Sequence, residues 1–340
     1  MSQELPKSNR QVRLKSRPAG IPQAEHFEIA EAPIPEPGEG RFLVRNLYLG
    51  VEPAMRGWVS AVGNYAEPVA IGDVMRAFAA GRVIRSRHPD YAPGDRVVGM
   101  FGWQDYAVSD GRNVMRKVTD EFPLSTALGV LGLNGITAYF GLLEIGQPKA
   151  GDTVLVSTAA GAVGSCVGQI AKILGCHAIG IAGGPEKIRI CRDEFGFDAL
   201  DYKAEPDLAK AVAAACPKGV DVYFDNTGGP INDAVLPHLA VGARVVICGT
   251  ASIASWDPWP SGPRVERHLL VKRARMQGFL VLDYADRYAE AVAQLSTWVR
   301  EGRIRYREEF LDGIAAAPDA IAGLYRGENL GRRLIRVAPE

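Results

Sequence analysis

The residues best suited to chemistry gather in one stretch, VLVSTAAGAVGSCVGQIAKILG, at positions 154–175. An apolar run leads into the small residues Ala159, Gly161 and Gly164, and from there into a segment of helical character. Small residues at a strand-to-helix turn let a phosphate approach the backbone, where free N–H groups and the helix dipole favour an anion. Alanine stands at 159, where a dinucleotide fingerprint usually has its first glycine. Taken alone the pattern therefore also fits a tightly packed helix start. Its position after the first apolar strand of an alternating strand–helix region favours the dinucleotide.

The next apolar segment ends IGIAGGPEKIR. An NAD-selective site places Asp or Glu near this point to accept the ribose 2′-hydroxyl. Here Gly183 and Gly184 occupy it, so nothing repels a 2′-phosphate, and Lys187 follows close behind with the opposing charge. A lone lysine can equally be a solvated helix residue, and Glu186 beside it reads either way. The absence of the acid together with the lysine sets the expectation of NADPH over NADH.

These turns need a scaffold, and the sequence supplies a repeating one. Strands are expected at 153–156, 178–182, near 199, and at 221–225, 243–249 and 274–281, with helices at 162–174, 185–195, 206–216 and from about 231. Six strands alternating with helices make an α/β doubly wound parallel sheet. The stretch at 125–146, STALGVLGLNGITAYFGLLEIG, reads as one helical segment dense in small residues. Ahead of it lie short apolar runs such as RFLVRNLYLGV and GDRVVGMFGWQDYAV, separated by proline and glycine turns. Twelve of the 22 prolines precede residue 150, which favours a barrel-like sheet over a helical bundle. The tail ends in a strand-like run that can return to this first lobe.

Composition narrows the class. A chain of 340 residues exceeds the size at which one core keeps growing, so two lobes are expected. Lys plus Arg and Asp plus Glu both number 39, leaving no field to favour nucleic acid or an anionic membrane surface. No apolar run approaches the roughly 20 residues that span a bilayer. The first twenty residues lack an apolar core, reading as a loose arm and not a secretory signal, with the cytoplasm as the expected compartment. Cys166, Cys176, Cys191, Cys216 and Cys248 show no CxxC pairing and read as reduced, mostly buried thiols. The five histidines are scattered and the first lobe has no cysteine, so no metal is expected.

The chain resembles the zinc-independent medium-chain dehydrogenase/reductases, in the branch of prostaglandin reductases, curcumin reductases and alkenal double-bond reductases. The resemblance rests on LGVEPAMRG, GWQDYAV, GVLGLNGITAYFGLLEIGQPKAGDTVLVSTAAGAVGSCVGQIAK, FDNTGG, KRARMQGF and GENLGRRLIRV, and runs nearly end to end. It implies a GroES-like β-rich catalytic domain from 1–123 and 301–340, with a Rossmann NADPH-binding domain at 124–300 between them. It also implies reduction of the carbon–carbon double bond of α,β-unsaturated ketones or aldehydes by NADPH. By the same resemblance Gly161, Ala162, Val163, Gly164, Lys187 and Tyr202 hold the pyrophosphate and 2′-phosphate. Asn226, Asn329, the backbone at Phe279, and the loop beginning Cys248 and Gly249 also touch cofactor.

The family's usual DPYMR reads EPAMR here, with Ala54 for tyrosine, and Trp256 stands near another tyrosine position, where it is expected to wall the substrate pocket. NYAEPV keeps a family tyrosine as Tyr65. Hydride addition at the β-carbon leaves charge on the carbonyl oxygen, and with no metal a phenol such as Tyr65 can donate to it. The alternative is a tyrosine that only packs. Two rival functions share the fold: quinone reduction by NADPH, and NADPH binding without turnover. The resemblance and the apolar segment at 274–281, expected at a sheet edge, point to a homodimer.

Overall fold

The computed structural model describes residue 6 and residues 8–61, 65–253 and 258–340. The chain divides into two compact units. One comprises residues 1–128, 308–329 and 333–340, and the other residues 129–307 and 330–332.

The second unit is built on a six-stranded sheet, all parallel, in the order Asp198–Asp201, His177–Ala182, Thr153–Ser157, Val220–Asp225, Leu239–Ile247, Arg275–Gly278. The inner strands are nearly continuous apolar runs because helices cover both faces. Leu155, Ile181, Tyr223 and Val245 are fully or almost fully buried in its core. The helix Ala162–Ile173 follows the central strand and buries its middle, from Gly164 to Ala171. The expected helix at 185–195 is split: Pro185–Arg189 is α-helical and Ile190–Glu194 widens to a π-turn. The segment expected as one helix at 125–146 also breaks, into the single turn Leu124–Leu128, the helix Leu133–Phe140 and the π-turn Gly141–Gly146. Inside the helix Leu133–Phe140 a glycine is needed at 135, since a Cβ there would run into the Val130 carbonyl of the preceding loop.

The first unit holds a seven-stranded sheet. Its path runs Glu308–Asp312, Arg332–Arg336, Phe42–Gly50, Phe78–Ser86, Arg96–Met100, Val114–Lys117, and Tyr106–Ser109 pairs with Phe42–Gly50. Two of these strands come from the C-terminal segment, which returns as the sequence suggested. The expectation of a loose N-terminal arm is corrected in part. Asn9–Leu14 is a strand paired antiparallel with Phe27–Ala32. Val12 and Leu14 alternate into the core at 0% exposure, and the buried Asn9 amide both donates to the Tyr106 carbonyl (3.0 Å) and accepts the Tyr106 N–H (2.9 Å). Two alternating apolar residues are too few to reveal such a strand in sequence.

Candidate functional site

The glycine turn leaves the carboxyl end of the central parallel strand, where open α/β sheets bind ligands. Thr158 takes a left-handed φ of 53° and its carbonyl accepts the Gly161 N–H at 2.8 Å. The helix then starts so close to this carbonyl that a Cβ at Gly164 would lie 2.8 Å from the Thr158 carbonyl carbon and 3.0 Å from Ala159 Cα. Gly161 caps the helix with no side-chain hydrogen bond. The helix therefore begins without a side-chain cap, and its first turn is a helix N-terminus of the kind that favours an anion. Ala159 replaces the usual glycine because its methyl faces Gly180 on the neighbouring strand; a side chain at 180 would collide with it. The small residue has moved to the opposing strand, and the chain still fits a dinucleotide at this turn.

At the end of the strand His177–Ala182 the absent acid has a steric counterpart. A Cβ at Gly183 would lie 2.7 Å from Tyr202 Cε1 and 3.0 Å from Lys203 Cε. Gly184 takes φ 99° and its N–H donates to Asp201 Oδ1 at 2.8 Å. Lys187 follows, half-buried, in the short helix Pro185–Arg189. The structure therefore brings Lys187 and Tyr202 to the same strand end.

Asp225, 1% exposed at the end of the strand Val220–Asp225, organises the next loop. Its Oδ1 accepts Ser157 Oγ–H (3.1 Å), the Thr227 N–H (2.8 Å) and the Thr227 hydroxyl (2.9 Å). Its carbonyl accepts the N–H groups of Cys248 (2.8 Å) and Gly249 (3.1 Å). Asn226 is fixed by Nδ2–H to the Ser157 carbonyl and by its own N–H to Ser157 Oγ, each 2.8 Å. Asn226, Cys248 and Gly249 thus gather around Asp225, which sequence reasoning missed although FDNTGG contains it. Burial pushes the Cys248 thiol up to about 12. The five cysteines are free, four of them buried. Phe279, just past Gly278, is half-buried against Phe224 with ring centroids 6.4 Å apart, and its ring fills the space over Gly141.

Gly331 is a second residue that the motifs did not single out. It pairs with Gly161 in a parallel bridge and takes φ 84°, a conformation glycine tolerates. Asn329, two residues earlier in GENLG, lies beyond the helix Ala317–Arg326, at the end of the first unit's segment 308–329.

Tyr65 belongs to the first unit and is 51% exposed. Its loop is bracketed by Arg17, whose guanidinium donates to the carbonyls of Val59 (3.0 Å), Ser60 (3.3 Å) and Val69 (2.9 Å). Near it stands Tyr325, whose hydroxyl donates to the Pro53 carbonyl at 3.1 Å and whose ring lies 5.4 Å from Arg56 Cζ. Burial raises the Tyr325 phenol above its ordinary value, Arg56 opposes this, and Tyr65 adds to it. Tyr325 therefore sets a phenol beside the Pro53–Ala54 step. Trp256 lies outside the described residues. Among the described residues no three His, Cys, Asp or Glu side chains cluster as ligands for a metal ion, and no helix is long and apolar enough to cross a membrane.

Residues 10–117 match the family described as the N-terminal domain of oxidoreductase, and residues 162–297 match the one described as zinc-binding dehydrogenase. The NADPH-dependent curcumin reductase of Escherichia coli is 45% identical over 99% of both chains. The chain belongs to the zinc-independent branch of the medium-chain dehydrogenase/reductases. Another member of the family, the NADP(+)-dependent 2-alkenal reductase of Nicotiana tabacum, is 38% identical across both full lengths. The crystal structure of CurA from Vibrio vulnificus in complex with NADPH superposes with a TM-score of 0.92 at 44% identity, covering 97% of this chain and 100% of that one. The family's α/β architecture, a GroES-like β-rich part plus a Rossmann sheet, is the fold described above.

Proposed function

We propose that this protein is an NADPH-dependent oxidoreductase that reduces the carbon–carbon double bond of α,β-unsaturated ketones and aldehydes. The observation that carries the cofactor choice is Gly183, which stands where an NAD-selective site requires a carboxylate and where a side chain would have to push aside Tyr202 and Lys203. The reaction class is supported by long, near-complete similarity to proteins named for curcumin and alkenal reduction.

Bound NADPH supplies the hydride that adds to the β-carbon. The first helical turn from Ala162 to Gly164 holds its pyrophosphate, and Lys187 and Tyr202 take the 2′-phosphate. Asn226, Cys248, Gly249, Phe279 and Asn329 line the remainder of the cofactor's path. Tyr65 donates its hydroxyl to the carbonyl oxygen as negative charge develops there, and the α-carbon takes its proton from that phenol or from water. We assign the catalytic role to the first unit, near the expected 1–123 and 301–340, and all of the cofactor contacts except Asn329 to the second, near 124–300. Trp256 is retained as a wall of the substrate pocket.

A homodimer is supported by the edge strand Arg275–Gly278, which ends the six-stranded sheet and has one side unpaired among the described residues, and by the exposed Leu270 and Val271 on the adjacent helix. Light scattering at micromolar concentration should give twice the 36.6 kDa chain mass. Free, buried thiols suit a reducing cytoplasmic compartment.

The test is NADPH consumption against enals, enones and quinones, with products identified by mass. The expected product is the saturated ketone or aldehyde. Faster turnover of quinones to hydroquinones would make it a quinone reductase, and tight NADPH binding without turnover would make it a non-catalytic binder.

A further inference from the structure

The strand end at Gly183 holds a cation that the motifs did not assign. The space a side chain would take at Gly183 is bounded by the Tyr202 ring at 2.7 Å and by Lys203 Cε at 3.0 Å, so the phenol and the lysine stem lie together across this glycine. The peptide that carries them is clipped in place by one carboxylate. Asp201 Oδ1 accepts the N–H of Gly184 at 2.8 Å and the N–H of Lys203 at 3.0 Å. This oxygen joins the turn after the second strand to the turn after its neighbour in the sheet, and so fixes the backbone from which Lys203 springs. The same engagement commits Oδ1 of Asp201 to backbone donors. Among the described residues the Lys203 ammonium has no carboxylate or carbonyl partner, and the residue is exposed.

The charge on the ligand calls for such a group. A phosphate monoester carries about −1.5 to −2 near neutral pH. One ammonium at Lys187 balances roughly half of it, and lysine acts on phosphate as a point charge. Resting on the NADPH reading above, we propose that Lys203 is a second cation for the 2′-phosphate and that Asp201 is its positioning residue. Lys187 and Lys203 then approach the phosphate from different elements, the short helix after Gly184 and the turn after Asp201, with Tyr202 beside Lys203.

The experiment measures binding by calorimetry, with adenosine 2′,5′-bisphosphate and adenosine 5′-monophosphate as paired probes beside NADPH and NADH. Lys203→Met keeps the stem over Gly183 and removes the charge. It should weaken adenosine 2′,5′-bisphosphate and NADPH by roughly ten- to a hundredfold while leaving adenosine 5′-monophosphate and NADH unchanged. Lys203→Arg should restore most of the loss. Asp201→Ala should weaken the same two ligands less, through displacement of Lys203, and its melting temperature reports the cost of losing the clip separately. Wild-type protein that binds both adenosine probes equally would overturn the NADPH reading itself. Wild-type discrimination that persists unchanged in Lys203→Met, or an equal loss for all four ligands, would overturn the role of Lys203 and leave that reading intact.

Discussion

Gly161 and Gly331 pair in a parallel bridge, although the chain runs through almost the whole parallel-sheet unit between them. The bridge sets the segment 330–332 against the turn that starts the glycine-rich helix. The Arg307 carbonyl holds the other side of this segment by accepting the Arg332 N–H at 2.9 Å, and a Cβ at Gly331 would fall 2.9 Å from the Arg307 carbonyl carbon.

Gly331→Ala should therefore be costly twice over, through its φ of 84° and through the collision with Arg307. The expected destabilisation is about 1–3 kcal/mol. NADPH and NADH should both weaken, by similar factors, because the pyrophosphate turn is common to them. Calorimetric melting and titration with both cofactors check this, and unchanged affinity for both would detach Gly331 from the turn's geometry.

Gly183→Asp tests the strand end. The new side chain must displace Tyr202 and Lys203, and it brings a carboxylate toward the 2′-phosphate. Both effects act against NADPH, for which affinity should fall at least about tenfold, with a smaller change for NADH. Lys187→Ala should act in the same direction with the same selectivity. A variant at 183 that keeps full preference for NADPH would contradict the steric account.

Tyr65→Phe keeps the ring and removes the hydroxyl. At 51% exposure the ring contributes little packing, so the melting temperature should hold, and NADPH affinity with it. Loss of one oxyanion donor typically lowers kcat by about 10²- to 10³-fold. Steady-state rates on an enone measure it; wild-type kcat would return Tyr65 to a surface packing role.

The Cys248 thiol, pushed up to about 12 by burial, has almost no thiolate at neutral pH. Iodoacetamide at pH 8 should leave activity intact in the folded protein, although Cys248 begins a loop assigned to the cofactor. Inactivation in step with alkylation of Cys248, followed by peptide mass mapping, would contradict this.

Extended dialysis against a chelator should leave turnover unchanged, as expected from a first lobe without cysteine and from the absence of any ligand cluster among the described residues. Recovery of stoichiometric zinc with loss of turnover would count against the reaction proposed here.

What the sequence alone determined is what short range encodes. Alternating apolar runs and turns identified the six strands of the parallel sheet, because burial on both faces demands continuous apolar residues and crossover helices demand amphipathic ones. The glycine turn at 161–164 and the acid-free end at Gly183 were legible for a similar reason: backbone approach and charge exclusion act through the residue itself. Tertiary structure decided what depends on a neighbour far along the chain. Ala159 is tolerated because Gly180 faces it from the next strand, and no pattern around 159 carries that fact. Asn9–Leu14 is a strand because Phe27–Ala32 offers it an edge and Tyr106 satisfies the Asn9 amide. Asp225 became the hub of its loop only when folding brought Ser157, Thr227, Cys248 and Gly249 around it in a buried setting. Each of these is a contact that exists only after the backbone has closed, and its energy comes from packing and desolvation, which a local window of sequence does not contain.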